Sequence, residues 1–324
     1  MEVNVTYETQ HLWTTWFAIY LYLGGLGAAT MTVTFLTDMY LKSHKPLAIW
    51  GALAGLLTVG GGSALLFIHL ANHAAVVYVL NPLAIFIKPD AWIAWGTQFI
   101  SWMLIAGTLY VLPYIAEEPL FKRLPVVGSL LQTGILQSFA RMIGNPKGHQ
   151  LLGIIASLSG IGVAVYTGLL LQSFPAVALW NNPGVPILFT VSAFSTACAL
   201  LILVIHIFMG HNERDSLLRK LYESTDLGLI AVELLIIFLF YMYLTRGSMS
   251  ARVSADLLFH DWGWLLGFVG LGLIAPFLIE LRSVLTHGQG HNRLPTIAAA
   301  VFVLIGGFLL RDYFMAAGIY VYPT

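Results

Sequence analysis

Apolar runs close to twenty residues long recur along the whole chain, separated by stretches where charge, proline and asparagine collect. A helix needs about 20 apolar residues to cross the hydrocarbon core of a bilayer. The pattern therefore predicts eight crossings, at residues 12–41, 46–70, 91–116, 149–172, 186–209, 226–245, 262–281 and 295–316. The expected architecture is an all-α integral membrane protein, a single polytopic domain over 1–324 built as two four-helix bundles. No soluble domain and no internal repeat is visible. Two connectors depart from plain loops. Residues 72–90 are apolar with prolines, and 117–148 include an amphipathic stretch around 130–142, so both are expected along the membrane interface. Small-residue runs, "LGGLGAA" (23–29), "WGALAG" (50–55) and "GGG" (60–62), predict close helix crossings.

Composition agrees with the pattern. Of 324 residues, 58% are hydrophobic and 9% charged, and the net charge is zero, so no basic field for nucleic acid exists. The first apolar run is too long for a secretory signal and follows acidic rather than basic residues, so it reads as a span. The single cysteine, Cys198, lies inside an apolar run and reads as a small buried hydrophobe. Lysines and arginines gather in the odd-numbered connectors (Lys42, Lys45, Lys122, Arg123, Arg141, Lys147, Arg214, Arg219, Lys220, Arg282 and Arg293), while the even-numbered ones hold only Lys88, Arg246 and Arg252. The positive-inside bias predicts that both termini and the connectors at 72–90, 173–185 and 246–259 are extracytoplasmic.

That orientation sets the depth of the polar groups. Trp13, Trp16 and Tyr20 on the first span, His69, Asn72 and His73 at the end of the second, and Trp95 and Gln98 on the third all fall near the outer face. Tyr166, Thr167 and Gln172 on the fourth and Arg311–Asp312 on the last join them. These groups are expected to wall an outer-leaflet pocket for a neutral, amphipathic ligand. The uncharged stretch "AVYTGLLLQSFPAVALWNNPGVPILF" (164–189) would form one side of it. Trp13, Trp92 and Trp180 also suit an interfacial aromatic belt. His69 and His73, four apart, would share a helix face and can accept protons near neutrality. Ionisable residues inside spans mark function by default. Glu233, His206, Asp38, Glu280 and the Arg311–Asp312 pair are candidates for a proton path, although Asp38 and Glu280 stand where a side chain can snorkel to the inner surface.

The block "YTGLLLQSFPAVALWNNPGVPILFTVSAF" (166–194) resembles the middle signature of the NrfD/polysulfide-reductase membrane-subunit family. "IYLYLGGLGAATM" (19–31) and "FVLIGGFLLRDYFMAAG" (302–318) are similar to its first and last helices, with "DLGLIAVELL" (226–235) and "GFVGLGLIAPFLIEL" (267–281) in order between them. The resemblance implies a quinone-reactive anchor with no haem or metal of its own, in the cytoplasmic (inner) membrane of a prokaryote. It implies an extracytoplasmic four-cluster iron–sulfur partner and a molybdopterin catalytic subunit. It also implies activity only within a quinol-linked oxidoreductase complex of the polysulfide, thiosulfate, tetrathionate or nitrite reductase type, or the formate dehydrogenase type. Menaquinone or ubiquinone would be held by Tyr166 and Tyr20 and walled by Trp16, Trp95, Gln98 and Thr167, with His69 or His73 accepting a proton. Where many relatives carry Asp-Leu-Gly-Arg-Pro after the second span, this chain has His69-Leu-Ala-Asn-His73. Two other readings stay open, a dihaem cytochrome b-type anchor and a secondary transporter.

Overall fold

The computed structural model describes residues 5–11, 13–41, 45–70, 73, 76–209, 213–286 and 293–323. Leu12, Lys42 and Asn72, used above for span limits and sidedness, lie outside the described residues. Among the described residues, eight helices are long and apolar enough to cross a membrane, so the chain is a multi-pass, all-α membrane protein. In a bilayer every backbone polar group needs a partner within the protein, and a helix satisfies its own.

The first bundle contains α1 (Thr15–Leu41), α2 (Lys45–Ile68), α5 (Trp92–Glu117) and α9 (Pro146–Gln172). Short helices α3 (Val76–Leu80) and α4 (Ala84–Ile87) precede α5, and α6 (Pro119–Lys122), α7 (Pro125–Leu131) and α8 (Gly134–Ile143) follow it. The second bundle contains α10 (Gly184–Phe208), α11 (Glu213–Arg246), the seventh span and α14 (Arg293–Ala316). A short α12 (Met249–Phe259) leads into the seventh span, which is π-wound over Gly263–Ile274 and α-helical over α13 (Ala275–Leu285). The change of winding sits just ahead of Pro276. The Ala275 N–H reaches the Gly270 carbonyl, five residues back, and the wider turn makes room for a ring that would crowd a regular α-turn. Helices α1 and α10 are the most enclosed, and α1 touches α2, α9, α10 and α14, which joins the bundles.

Most span limits fall within three residues of expectation, but the sixth does not. Expected from residue 226, α11 begins at Glu213, because "ERDSLLRKLYEST" is a charged but fully helical extension. Charge marks where a helix leaves the bilayer, not where it ends. Asp226 and Glu233 consequently lie well inside the helix.

An unexpected two-stranded antiparallel ribbon, β1 (Val5–Thr9) with β2 (Ile319–Pro323), ties the chain ends together on one face. Val177 bridges to Tyr320 and α12 packs against β2, so the α9–α10 and α11–α12 connectors share that face.

The glycine runs divide in two. Gly60 and Gly61 face open space. Gly27 and Gly55 set backbone against backbone at the α1–α2 crossing, and Gly272 and Gly306 do so between the seventh span and α14. A Cβ at Gly306 would overlap the backbone of Gly272, which no rotamer change relieves. Gly306→Ala should therefore cost about 1–3 kcal/mol through forced separation of the two helices. Thermal unfolding in detergent should show a clear drop for Gly306→Ala and none for Gly61→Ala. Equal melting of the two variants would mean the crossing tolerates a methyl group.

Candidate functional site

Tyr20 on α1 and Tyr166 on α9 meet at the junction of the first bundle, their hydroxyls 2.9 Å apart and both rings buried. The Tyr166 ring occupies the space left by the missing side chain of Gly96 on α5. Gly168, two residues further on, lets α9 close on Pro186 of α10. Two phenols have two hydrogens and spend one on their mutual bond. The second hydrogen has no acceptor among the described residues, so one donor remains for a ligand oxygen. Thr167 is engaged differently, its hydroxyl donating to the Ala164 carbonyl at 2.7 Å.

The structure brings together some of the outer residues and separates others. Trp16 stacks on His69 at 4.8 Å, and both are accessible, Trp16 by 53%. His69 also engages the Leu65 carbonyl through Nδ1 at 2.9 Å. The expected His69–His73 helix face does not form, because α2 stops at Ile68; His73 lies edge-on to Phe67. Trp95 and Gln98 brace the apolar connector. Trp95 donates to the Pro89 carbonyl at 3.0 Å and Gln98 to that of Leu80 at 3.1 Å.

Polar groups in the 173–183 segment are largely consumed by structure. Trp180 is fully buried rather than interfacial, donates to the Phe314 carbonyl at 2.7 Å and stacks on Trp13 at 5.3 Å. Asn181 donates to the Gln172 carbonyl, and Asn182 accepts from the Gly184 N–H, both at 2.7 Å. Gln10 closes the cluster by donating to the carbonyls of Trp13 and Met315.

A second polar group begins beside the phenols. Arg311 is 0% exposed; its Nη1 donates to Ser192 Oγ at 2.9 Å and to the Gly307 carbonyl at 2.6 Å, and its Nη2 to the Phe189 carbonyl at 3.1 Å. The guanidinium also lies over the rings of Phe189 and Tyr22, at 5.1 and 5.7 Å. Gly25 of α1 abuts Arg311 and Thr167 together, which places this cation in the same layer as the phenol pair. Arg311 and Asp312 do not form a pair. Arg311 points into the bundle, whereas Asp312 lines a cavity of about 290 Å³ with Gln10, His11 and Trp13 near the β-ribbon.

Glu233 is buried within electrostatic reach of Arg311, and its Oε1 has no hydrogen-bond partner. Two helical turns away on the same face of α11 is Asp226, which enters the sequence analysis only as the start of the sixth span and not as a site residue. The seven-residue spacing to Glu233 was the available signal. Asp226 accepts from Ser195 at 2.5 Å and adjoins Glu280, buried with it. The series Arg311, Ser192, Glu233, Ser195, Asp226, Glu280 thus runs down the second bundle.

Neither Asp38 nor Glu280 snorkels. Asp38 is buried, and its Oδ2 accepts from Tyr110 at 2.5 Å and Tyr114 at 3.1 Å, so it belongs to a separate cluster in the first bundle. His206 engages the Ile202 carbonyl and faces Arg219, away from Glu233. Among the described residues, no three His, Cys, Asp or Glu side chains converge as metal ligands.

Comparison with known proteins places this architecture. The family model described as polysulphide reductase, NrfD, matches residues 4–323. A polysulfide reductase polypeptide of Wolinella succinogenes is 27% identical over 317 residues, covering 93% of this protein and 92% of the relative. Protein NrfD of Escherichia coli is 25% identical, with 93% of each sequence covered. A selenate reductase polypeptide of Mesobacillus selenatarsenatis is 24% identical, with 96% of this protein and 74% of the relative covered.

Proposed function

Because the chain belongs to the polysulphide reductase NrfD family, we propose that it is the membrane anchor and quinol/quinone-binding subunit of a respiratory oxidoreductase complex. In that role it exchanges electrons between the quinone pool and an iron–sulfur partner, which in turn serves a molybdopterin catalytic subunit. Subunits of polysulfide and selenate reductases among its relatives support the role in a reductase complex. The observation that carries the quinone reading is the buried Tyr20–Tyr166 pair with its uncommitted hydrogen. A quinone oxygen can accept that hydrogen bond, and a quinol hydroxyl can donate to either phenol. The accessible Trp16–His69 stack offers a flat, lipid-facing entrance at the same end of α1.

A bound quinol supplies two electrons and two protons on becoming quinone. The protein's task is to orient the ring, exclude water and move the protons. Tyr166, braced against Gly96, would hold one ring oxygen, and Tyr20 would complete the bond. His69, exposed beside Trp16, would accept a proton on the outer side. The buried series from Glu280 and Asp226 through Glu233 to Arg311 would carry protons between the inner surface and this layer. Support comes from its unpartnered carboxyl oxygens, which leave room for exchangeable protons. The cluster at Asp38 and the His206–Arg219 contact flank the inner end of that route.

Charge bias assigns the face with the termini to the extracytoplasmic side. The partner would dock there, on the apolar α3–α4 connector, whose Tyr78, Phe86 and Ile87 are all largely exposed.

Tyr166→Phe keeps the ring and removes one hydroxyl. Membrane insertion and assembly should be normal, and quinol turnover should fall about tenfold, equivalent to about 1.4 kcal/mol of transition-state stabilisation. Electron entry from an artificial donor directly into the soluble partner should be unaffected. Unchanged quinol turnover and inhibitor affinity would place the quinone elsewhere. In liposomes, Glu233→Gln should retain part of the electron transfer while altering the number of protons taken up from the inner side per electron. Parental stoichiometry at parental turnover would remove the buried series from the mechanism.

A further inference from the structure

On the face opposite the termini, a cavity of about 620 Å³ opens between the end of α5, helix α8 and the start of α9. Lys45, Lys122 and Arg141 contribute positive charge to its wall, and among the described residues lining it Glu117 is the one acid. Lys45 is bound to Glu117 at 2.7 Å across the rim. Lys122 and Arg141 have no carboxylate partner among the described residues; Arg141 donates through Nε to the Gln137 carbonyl, which leaves the end of its guanidinium uncommitted. Deeper in the wall are Tyr114 and His149, which supply polar groups next to the Asp38 cluster.

The surroundings of this cavity are apolar and exposed. Helix α8 packs Ala140 inward, and Gly144 just beyond it sits close to Pro113, while Ile135 is 86% and Met142 62% exposed. Leu120, Leu124 and Leu130, on the same connector, are also exposed. A short amphipathic helix that turns large apolar side chains outward, at the level where membrane helices end, lies in the bilayer surface. A soluble anion would require the cations but not the apolar collar. A phospholipid would use both.

We propose that this cavity binds the phosphate headgroup of an anionic phospholipid, with Lys122 and Arg141 neutralising the phosphate and the acyl chains lying along the exposed side of α8. Basic pockets between membrane helices on the positively charged side suit such headgroups. The lipid would hold the α6–α8 connector against α5 and α9, next to the Lys45–Glu117 link.

The test uses the full-length chain in detergent and native mass spectrometry, with phosphatidylglycerol and phosphatidylcholine as probes. Phosphatidylglycerol should be retained preferentially, and the preference should shrink as salt rises. Lys122→Gln/Arg141→Gln should weaken that retention by roughly ten- to thirty-fold, two surface cations' worth of attraction. Retention of phosphatidylcholine should be unchanged. Lys88→Gln/Arg252→Gln, on the opposite face, should behave as the parent. Equal retention of the two lipids by the unmodified chain would overturn the proposal even if the double variant failed to fold. Displacement of phosphatidylglycerol by glycerol 3-phosphate alone would reassign the cavity to a soluble phosphate and overturn the lipid assignment.

Discussion

A guanidinium fully removed from solvent inside a membrane bundle dictates much of this structure. A charge at bilayer depth is tolerated only with dense hydrogen bonding or an opposite charge nearby. Arg311 has the hydrogen bonding, through Ser192 and two backbone carbonyls, and the carboxyl of Glu233 lies nearby. Satisfying it fixes α14 against α10, draws Glu233 of α11 to the same level, and brings Gly25 of α1 alongside. The helix that carries Gly25 also carries Tyr20, and Thr167 beside Gly25 follows Tyr166 in sequence. The buried cation and the phenol pair are therefore parts of one layer, with the first bundle supplying phenols and the second supplying charge.

Backbone proximity makes that layer possible. The phenol pair forms because Gly96 leaves room for the Tyr166 ring and Gly168 lets α9 approach Pro186. At the face with the β-ribbon, Trp180, Trp13 and Gln10 join the approach to α1, the end of α14 and the 173–183 segment in one cluster. Trp13, Trp180, Asn181 and Asn182 mostly stabilise this cluster, which leaves the phenol pair and the accessible Trp16–His69 stack outside it.

The fold was legible because hydropathy at bilayer length is a strong, local signal, and the Tyr20 and Tyr166 positions followed from the motif blocks that contain them. Features that depend on three-dimensional partners were not. The charged start of α11 looked like a loop because charge reports solvent and not backbone conformation. Asp226 was missed for the same reason, although its seven-residue spacing from Glu233 puts the two on one face. His69 and His73 suggested a shared face that exists only if α2 continues, and it stops at Ile68. Adjacent in sequence, Arg311 and Asp312 point to different environments, as neighbours on a helix must. The ribbon of β1 and β2 joins strands at opposite ends of the chain, and short strands announce no partner.

The proposed quinone site lies in the layer between α1 and α9, at Tyr20 and Tyr166. Photolabelling of the assembled complex with an azido-quinone, followed by peptide mapping, tests this most directly. Label should appear on peptides from the halves of α1 and α9 nearest the β-ribbon, around Trp16–Tyr20 and Tyr166–Leu170, and be competed away by excess unlabelled quinone. Competable label confined to the second bundle, or to the cavity beside α8 on the opposite face, would place the quinone elsewhere.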